Sequence, residues 1–305
     1  MRIPVILDTD IGDDIDDSWA LAMLLKSPEL DIRLVTTEFG DTRYRAALAC
    51  RFLETAGRTD VPVGIGIRQE DSGDKGRQYA WVRDYPLPRY PGRVHEDGVQ
   101  AMIDTIMASA APITLICIGP LPNVAEALRR EPRIAARTRF VGMHGSVYKG
   151  YEGAATPHAE WNVKADPVSA RAVFSAAWRE MVITPLDTCG LVRLRGEDYA
   201  RVCACRDPLT QALVENYRIW LTAFNRPEAG HETESSILFD TVAVHLAYTT
   251  RWLRMESLGI RVTDDGFTVP DAQSRIVNAA VEWSERTAFE KDLVQRLYAP
   301  AVRRA

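Results

Sequence analysis

The sequence predicts a doubly wound α/β domain, a mostly parallel sheet with helices on both faces. Three observations predict it. Short apolar runs alternate with segments of helical period along most of the 305 residues. The runs are apolar nearly throughout, as strands buried on both faces must be. No repeat, low-complexity tract or linker divides the chain, so residues 1–305 read as one domain.

The elements follow in order. Residues 3–7 (Ile-Pro-Val-Ile-Leu) form a first strand and residues 18–25 a first helix. A strand over 31–37 leads to a helix over 43–56, stopped by Gly57. A third strand spans 61–65. Residues 68–97 then break the rhythm. They are polar, aromatic and rich in Gly and Pro, as in a functional loop or lid, or a disordered segment. The alternation resumes with a helix over 99–108, a strand over 113–118, a helix over 123–130 and a strand over 139–143. A helix over 167–177 and a strand over 181–185 come next, then helices around 207–224 and 240–250. The turn Asp264-Asp265-Gly266 joins strands over 258–262 and 267–269, and a C-terminal helix follows. In such sheets the site lies beyond the carboxyl ends of the strands. That rule directs attention to Asp8, to residues 38–41, 118–123 and 143–146, and to Asp187.

Composition excludes some classes. The 37 basic and 42 acidic residues leave a net charge of −5, too mild and of the wrong sign for a nucleic-acid surface. No run approaches the roughly 18 apolar residues of a membrane span. The start reaches Asp8 after a run too short for a secretory segment. Cys50, Cys117, Cys189, Cys203 and Cys205 are odd in number and irregular in spacing. They read as reduced thiols of a cytoplasmic protein.

Residues 8–17, Asp-Thr-Asp-Ile-Gly-Asp-Asp-Ile-Asp-Asp, place six carboxylates in ten positions between a buried strand and a helix. Neighbouring like charges raise one another's pKa, a cost that a bound cation removes. Hard divalent ions take oxygen ligands, and calcium takes six to eight. The plainer alternative is a solvated acidic turn capping the helix. An EF-hand loop is excluded: counted from Asp8, Gly12 is fifth and Trp19 twelfth, where Gly is needed sixth and an acid twelfth. A haloacid-dehalogenase-type phosphatase also opens with a strand and Asp-x-Asp, but Gly12 stands in place of its usual Thr.

The strand followed by Asp8-x-Asp10-x-Gly12, and then Asp16-Asp17 at a helix start, resembles the signature of the nucleoside hydrolase family, of inosine-uridine preferring type. Four more segments extend the resemblance. Thr36-Thr37-Glu38-Phe39-Gly40-Asp41 resembles Thr-Thr-x-x-Gly-Asn, and Ile118-Gly119-Pro120-Leu121-Pro122-Asn123 resembles Thr-Gly-Pro-Leu-Thr-Asn. Ala159-Glu160-Trp161-Asn162 with Asp166-Pro167 resembles Ala-Glu-Phe-Asn-x-x-x-Asp-Pro. Phe239-Asp240-Thr241-Val242-Ala243 stands where the family has His-Asp-Pro-x-Ala.

The resemblance implies calcium-dependent hydrolysis of the N-glycosidic bond of a small-molecule ribonucleoside, in purine or pyrimidine salvage, by a homodimer or homotetramer. Asp10 would ligate calcium and take a proton from the attacking water. Asp17, Asp240 and the backbone carbonyl of Ile118 would complete the protein ligands, and Asp16 would receive the ribose 2′-hydroxyl. Glu160 and Asn162 would bond the other hydroxyls. Met143, at a strand end, and His95, in a segment resembling His-Gly-x-x-Gly, would also contact substrate. Asp8 would orient the loop from behind.

The chain departs from the family at four places. Asp13-Asp14-Ile15 replaces a single residue, so Asp13 and Asp14 are alternative ligands in a rival alignment. Asp41 replaces an Asn as a substrate contact. Ala154 stands roughly where an Asn touches the sugar. Phe239 replaces a His that protonates the leaving base in some members, a role for which His231 is the nearby substitute and His144 an outside candidate. A nucleoside- or ribose-binding protein without turnover is therefore the alternative of a different class. Tyr79, Trp81, Tyr85, Tyr90, Tyr217, Trp220 and Phe224 could stack on the base.

Overall fold

The computed structural model describes residues 2–69, 76–223 and 233–302. The strands are β1 (Ile3–Thr9), β2 (Leu30–Thr37), β3 (Val63–Ile65), β4 (Val94–His95), β5 (Ile113–Cys117), β6 (Thr138–Met143), β7 (Glu180–Thr184), β8 (Leu253–Val262), β9 (Thr268–Pro270) and β10 (Ile276–Trp283). They form one sheet in the order β4-β3-β2-β1-β5-β6-β7-β10-β8-β9. From β4 to β10 every pairing is parallel, while β8 runs antiparallel to both β10 and β9. The predicted doubly wound sheet is therefore present, with an antiparallel extension at one edge.

Alternation along the strands builds two cores. Val5 and Leu7 of β1 point into one cluster with Trp19, Leu21 and Phe52. Ile6, with Leu34 of β2 and Leu115 of β5, points into the other, against Met102, Val124 and Phe140. A strand so buried must be apolar on both sides, which is why its first charge, Asp8, falls near its carboxyl end.

The chain leaves β1 for β2 and β3 on one side and returns to β5, β6 and β7 on the other. A crevice opens where this order reverses, between the carboxyl ends of β1 and β5. The loop of residues 10–15 lies there and leads into the helix Asp16–Leu25.

Some elements differ from expectation. The segment 68–97 holds, among its described residues, a short helix Tyr79–Val82 and strand β4 at the sheet edge. Strand β10 goes unannounced in the sequence, because only half of its residues are buried and it begins just after a turn. The helices Trp161–Ala165 and Gly196–Cys203 are too short for a clear period. All five cysteines are free thiols. Among the described residues no helix is long and apolar enough to cross a membrane.

Candidate active site

Gly12 lets the acidic loop turn. Its φ is +126°, and a side-chain carbon there would lie 2.7 Å from the Tyr44 ring. Tyr44 donates its hydroxyl to the Gly12 carbonyl at 2.9 Å, and Trp220 donates its indole N–H to the Asp13 carbonyl at 2.9 Å. Ile15 is fully buried in the core, so the next two residues, Asp16 and Asp17, start the helix on its inward side.

Asp16, Asp17 and Asp240 then converge. They are 5%, 3% and 3% exposed, and one carboxylate oxygen from each lies within 4.8 Å of the others. Thr9 at the end of β1 donates its hydroxyl to Asp17. Burial holds all three carboxyls well above the ordinary range, and neighbouring carboxylates push further: Asp14 on Asp16, Asp10 on Asp17, and Asp16 on Asp240. The donor set is all oxygen, buried and like-charged, which fits a hard divalent cation.

This triad opens on a cavity of about 300 Å³, whose wall also carries Asp10, Asp13, Asp14, Arg77, Ile118, Met143, Glu160 and Asn162. Desolvation, opposed by the Arg45 charge, raises Asp10 to about 6. Asn162 donates its amide to the carbonyls of Ile118 (3.2 Å) and Met143 (3.0 Å). Glu160 caps the helix Trp161–Ala165, accepting from the backbone N–H groups of Gly145, Asn162 and Val163 at 2.9, 2.7 and 3.2 Å. Burial still lifts it to about 7. An aromatic wall closes one side. Phe239 meets Tyr151 edge-on, with centroids 6.1 Å apart, and the Tyr151 hydroxyl accepts the Trp161 N–H at 2.9 Å.

Expected residues divide accordingly. Asp10, Asp13, Asp14, Asp16, Asp17, Ile118, Met143, Glu160, Asn162 and Asp240 share the cavity. Asp41 and His95 do not line it. Asp41 is exposed and caps the helix Thr42–Thr55, accepting from Arg43 N and Tyr44 N, because a short carboxylate before a helix satisfies its free N–H groups. His95 pairs with Gly64 on the edge strand β4. His231 and Phe224 lie outside the described residues. Trp81, Tyr85 and Tyr90 pack into the core rather than the cavity, and Tyr217 stacks on Trp220 behind the acidic loop. Asp187 holds the loop after β6 through the N–H groups of Val147, Tyr148 and Lys149.

Asp8 is tied in place from behind the cavity. It accepts from Thr36 and from Asn123, the latter at 2.9 Å, and burial lifts it to about 7. Asn123 also donates to Thr37 O and accepts from Ile67 N, tying the end of β2 to the segment after β3.

Three residues of the site had no role assigned from sequence. Glu38, among the strand-end residues 38–41 to which the fold rule pointed, is fully buried with no hydrogen-bond partner for either oxygen, and burial followed by the Asp10 charge raises it well above the ordinary range. Arg77 faces Asp13 at 3.3 Å from within the irregular segment, where no pattern marks it. Tyr151 lies in a loop whose path only tertiary structure reveals.

Residues 5–292 match the family described as inosine-uridine preferring nucleoside hydrolase. A non-specific ribonucleoside hydrolase, RihC, of Klebsiella pneumoniae is 33% identical over 72% of this chain and 73% of its own. A pyrimidine-specific ribonucleoside hydrolase, RihA, of Escherichia coli is 31% identical over 70% of each chain. A probable uridine nucleosidase of Arabidopsis thaliana is 26% identical over 99% of this chain and 95% of its own. Among solved structures, a plant nucleoside hydrolase superposes with a TM-score of 0.81 at 23% identity, covering 98% of this chain and 100% of that one. The protein is thus an N-glycosyl hydrolase by class. It belongs to the inosine-uridine preferring nucleoside hydrolase family, as its motifs predicted. That family is metal-dependent, and the buried acidic cluster is where a metal would go.

Proposed function

We propose that this protein hydrolyses the N-glycosidic bond of ribonucleosides to ribose and free base, with calcium as its metal. The observation that carries the reading is the convergence of the Asp16, Asp17 and Asp240 carboxylates at a cavity shared with Asp10, Glu160 and Asn162. Asp10, Asp17, Asp240 and the Ile118 carbonyl would hold the ion. A bound calcium supplies Lewis-acid polarisation of water and of sugar hydroxyls. Asp10, raised to about 6, is ionised at neutral pH and placed to take the proton of the attacking water. Asp16 accepts the 2′-hydroxyl, and Asn162 and Glu160 contact the remaining hydroxyls. The carboxylates around the sugar stabilise the positive charge that develops on it as the bond to the base lengthens.

RihC and RihA support ribonucleosides as the substrate class by what they are named for acting on. We further propose a cytoplasmic homodimer or homotetramer serving nucleoside salvage. The second reading, binding without turnover, draws on Phe239, which carries no proton for the leaving base. Uridine, inosine and 2′-deoxyuridine incubated with and without a calcium chelator separate the readings. Reducing sugar released from the ribonucleosides alone, and abolished by the chelator, is the expected result. Equal kcat/KM for uridine and 2′-deoxyuridine contradicts the Asp16 contact, and no release from any substrate favours binding alone.

A further inference from the structure

Beside the acidic cluster lies a histidine that no part of the reaction uses. His144 directly follows the last residue of β6 and is completely buried, packed against Phe140 and edge-on to Phe174, with centroids 5.9 and 6.4 Å away. Its Nε2 lies 2.9 Å from the carbonyl oxygen of Gly119. A carbonyl oxygen only accepts, so Nε2 carries the hydrogen and the ring is the Nε2–H tautomer. The other nitrogen, Nδ1, has no hydrogen-bond partner. Burial lowers the ring's pKa to about 4, consistent with a neutral donor.

Gly119 follows Ile118, a residue of the cavity wall whose carbonyl accepts the Asn162 amide at 3.2 Å. A side-chain carbon at 119 would lie 2.1 Å from Glu38 Oε1 and 2.5 Å from Asp10 Oδ1, so any larger residue would push these two carboxylates aside. The same requirement leaves the backbone loosest at this point, because glycine lacks the restraint of a Cβ. On one side Ile118 N is fixed to Asp8 O at 3.0 Å. On the other, the following Pro120 offers no N–H to anchor the turn. The His144 donor supplies the missing anchor.

We infer that His144 is a positioning residue for the metal: by holding the Gly119 carbonyl it fixes the Gly119–Pro120 peptide, next to the one that carries the Ile118 carbonyl, and so limits how far that carbonyl can turn from the site. The inference rests on the calcium reading above. Partners that orient metal ligands typically contribute 10–100-fold to metal affinity.

The test is calorimetric titration of calcium into chelator-stripped protein, comparing wild type with His144→Phe and His144→Gln. Phenylalanine keeps a ring and removes the donor; glutamine keeps an N–H at similar reach and removes the ring. The expected result is a calcium Kd weakened about 10–100-fold in His144→Phe and within about 3-fold of wild type in His144→Gln. His144→Met serves as the donor-free variant if the Phe substitution does not fold. Equal affinity in all variants, which would leave His144 a packing residue whose loss lowers Tm alone, or equal weakening in both, which would trace the effect to the lost ring packing, overturns the inference. Failure of wild type to bind calcium would instead overturn the calcium reading, and this inference with it.

Discussion

Carboxylates occur in two opposite settings in this molecule. On the helix Pro122–Arg130 and just beyond it, Glu126 is paired with Arg129 and Arg130, and Glu131 with Arg133; these partners pull both acids down to about 2. At the carboxyl ends of β1 and β2 and the helices nearby, Asp8, Asp16, Asp17, Glu38 and Asp240 are buried, and all are pushed up. Surface acids with arginine partners are satisfied without help. The buried group is left with more negative charge than Arg45 and Arg77 can balance. That imbalance is the physical case for a cation, and it sets these buried acids apart from the arginine-paired ones on the surface.

The contrast can be broken most severely at Asp10 and its neighbours. Asp10→Asn should lower kcat by about 10²–10⁴-fold in steady-state assays of ribose release, the range of a lost general base. Asp17→Ala should abolish detectable calcium binding in a titration, whereas Asp14→Ala should retain it. The reverse result would favour the rival alignment of the acidic loop.

A smaller effect concerns pH. Asp8 and Glu160, each lifted to about 7, keep protons in the folded chain that ordinary carboxylates release near pH 4. Between those values the folded state binds more protons than the unfolded one, so stability contributed by these groups is complete below about pH 4 and lost as pH rises through about 7. Denaturant melts in chelator should therefore show stability falling from about pH 5 to about pH 8. Calcium affinity should rise over the same range, because its ligands must lose protons to bind. Glu126 has the opposite sign: its contribution is present above the ordinary carboxylate range and fades as pH drops toward about 2. The smallest effect is at that pair itself. Glu126→Gln should change stability by no more than about 0.5 kcal/mol and leave ribose release unaltered.

The sequence made the parallel sheet legible because its strands are buried on both faces and therefore unbroken by polar residues. The acidic loop was legible because six charges directly after such a strand are costly without a purpose. The sequence favours Asp16-Asp17 over Asp14-Ile15 as the acidic pair from the helix that follows; in the structure that helix starts at Asp16, and Ile15 is buried in the core. Asp41 could not be sorted from sequence, since a capping aspartate and a substrate contact look alike before the backbone is known. The aromatics of segment 68–97 fit a lid as well as a core by composition, and Phe52 decides the matter for Trp81 by packing against it at 4.5 Å. Arg77 and Tyr151 reach the cavity through loop paths, which no periodicity encodes.

The central claim is that the buried aspartates hold a metal ion. A calorimetric count of calcium bound by chelator-stripped protein at neutral pH, run beside Asp240→Ala, tests it most directly. A single site in the wild type, absent from the variant, is the predicted result. No binding in the wild type, or the same binding in both, would contradict the account.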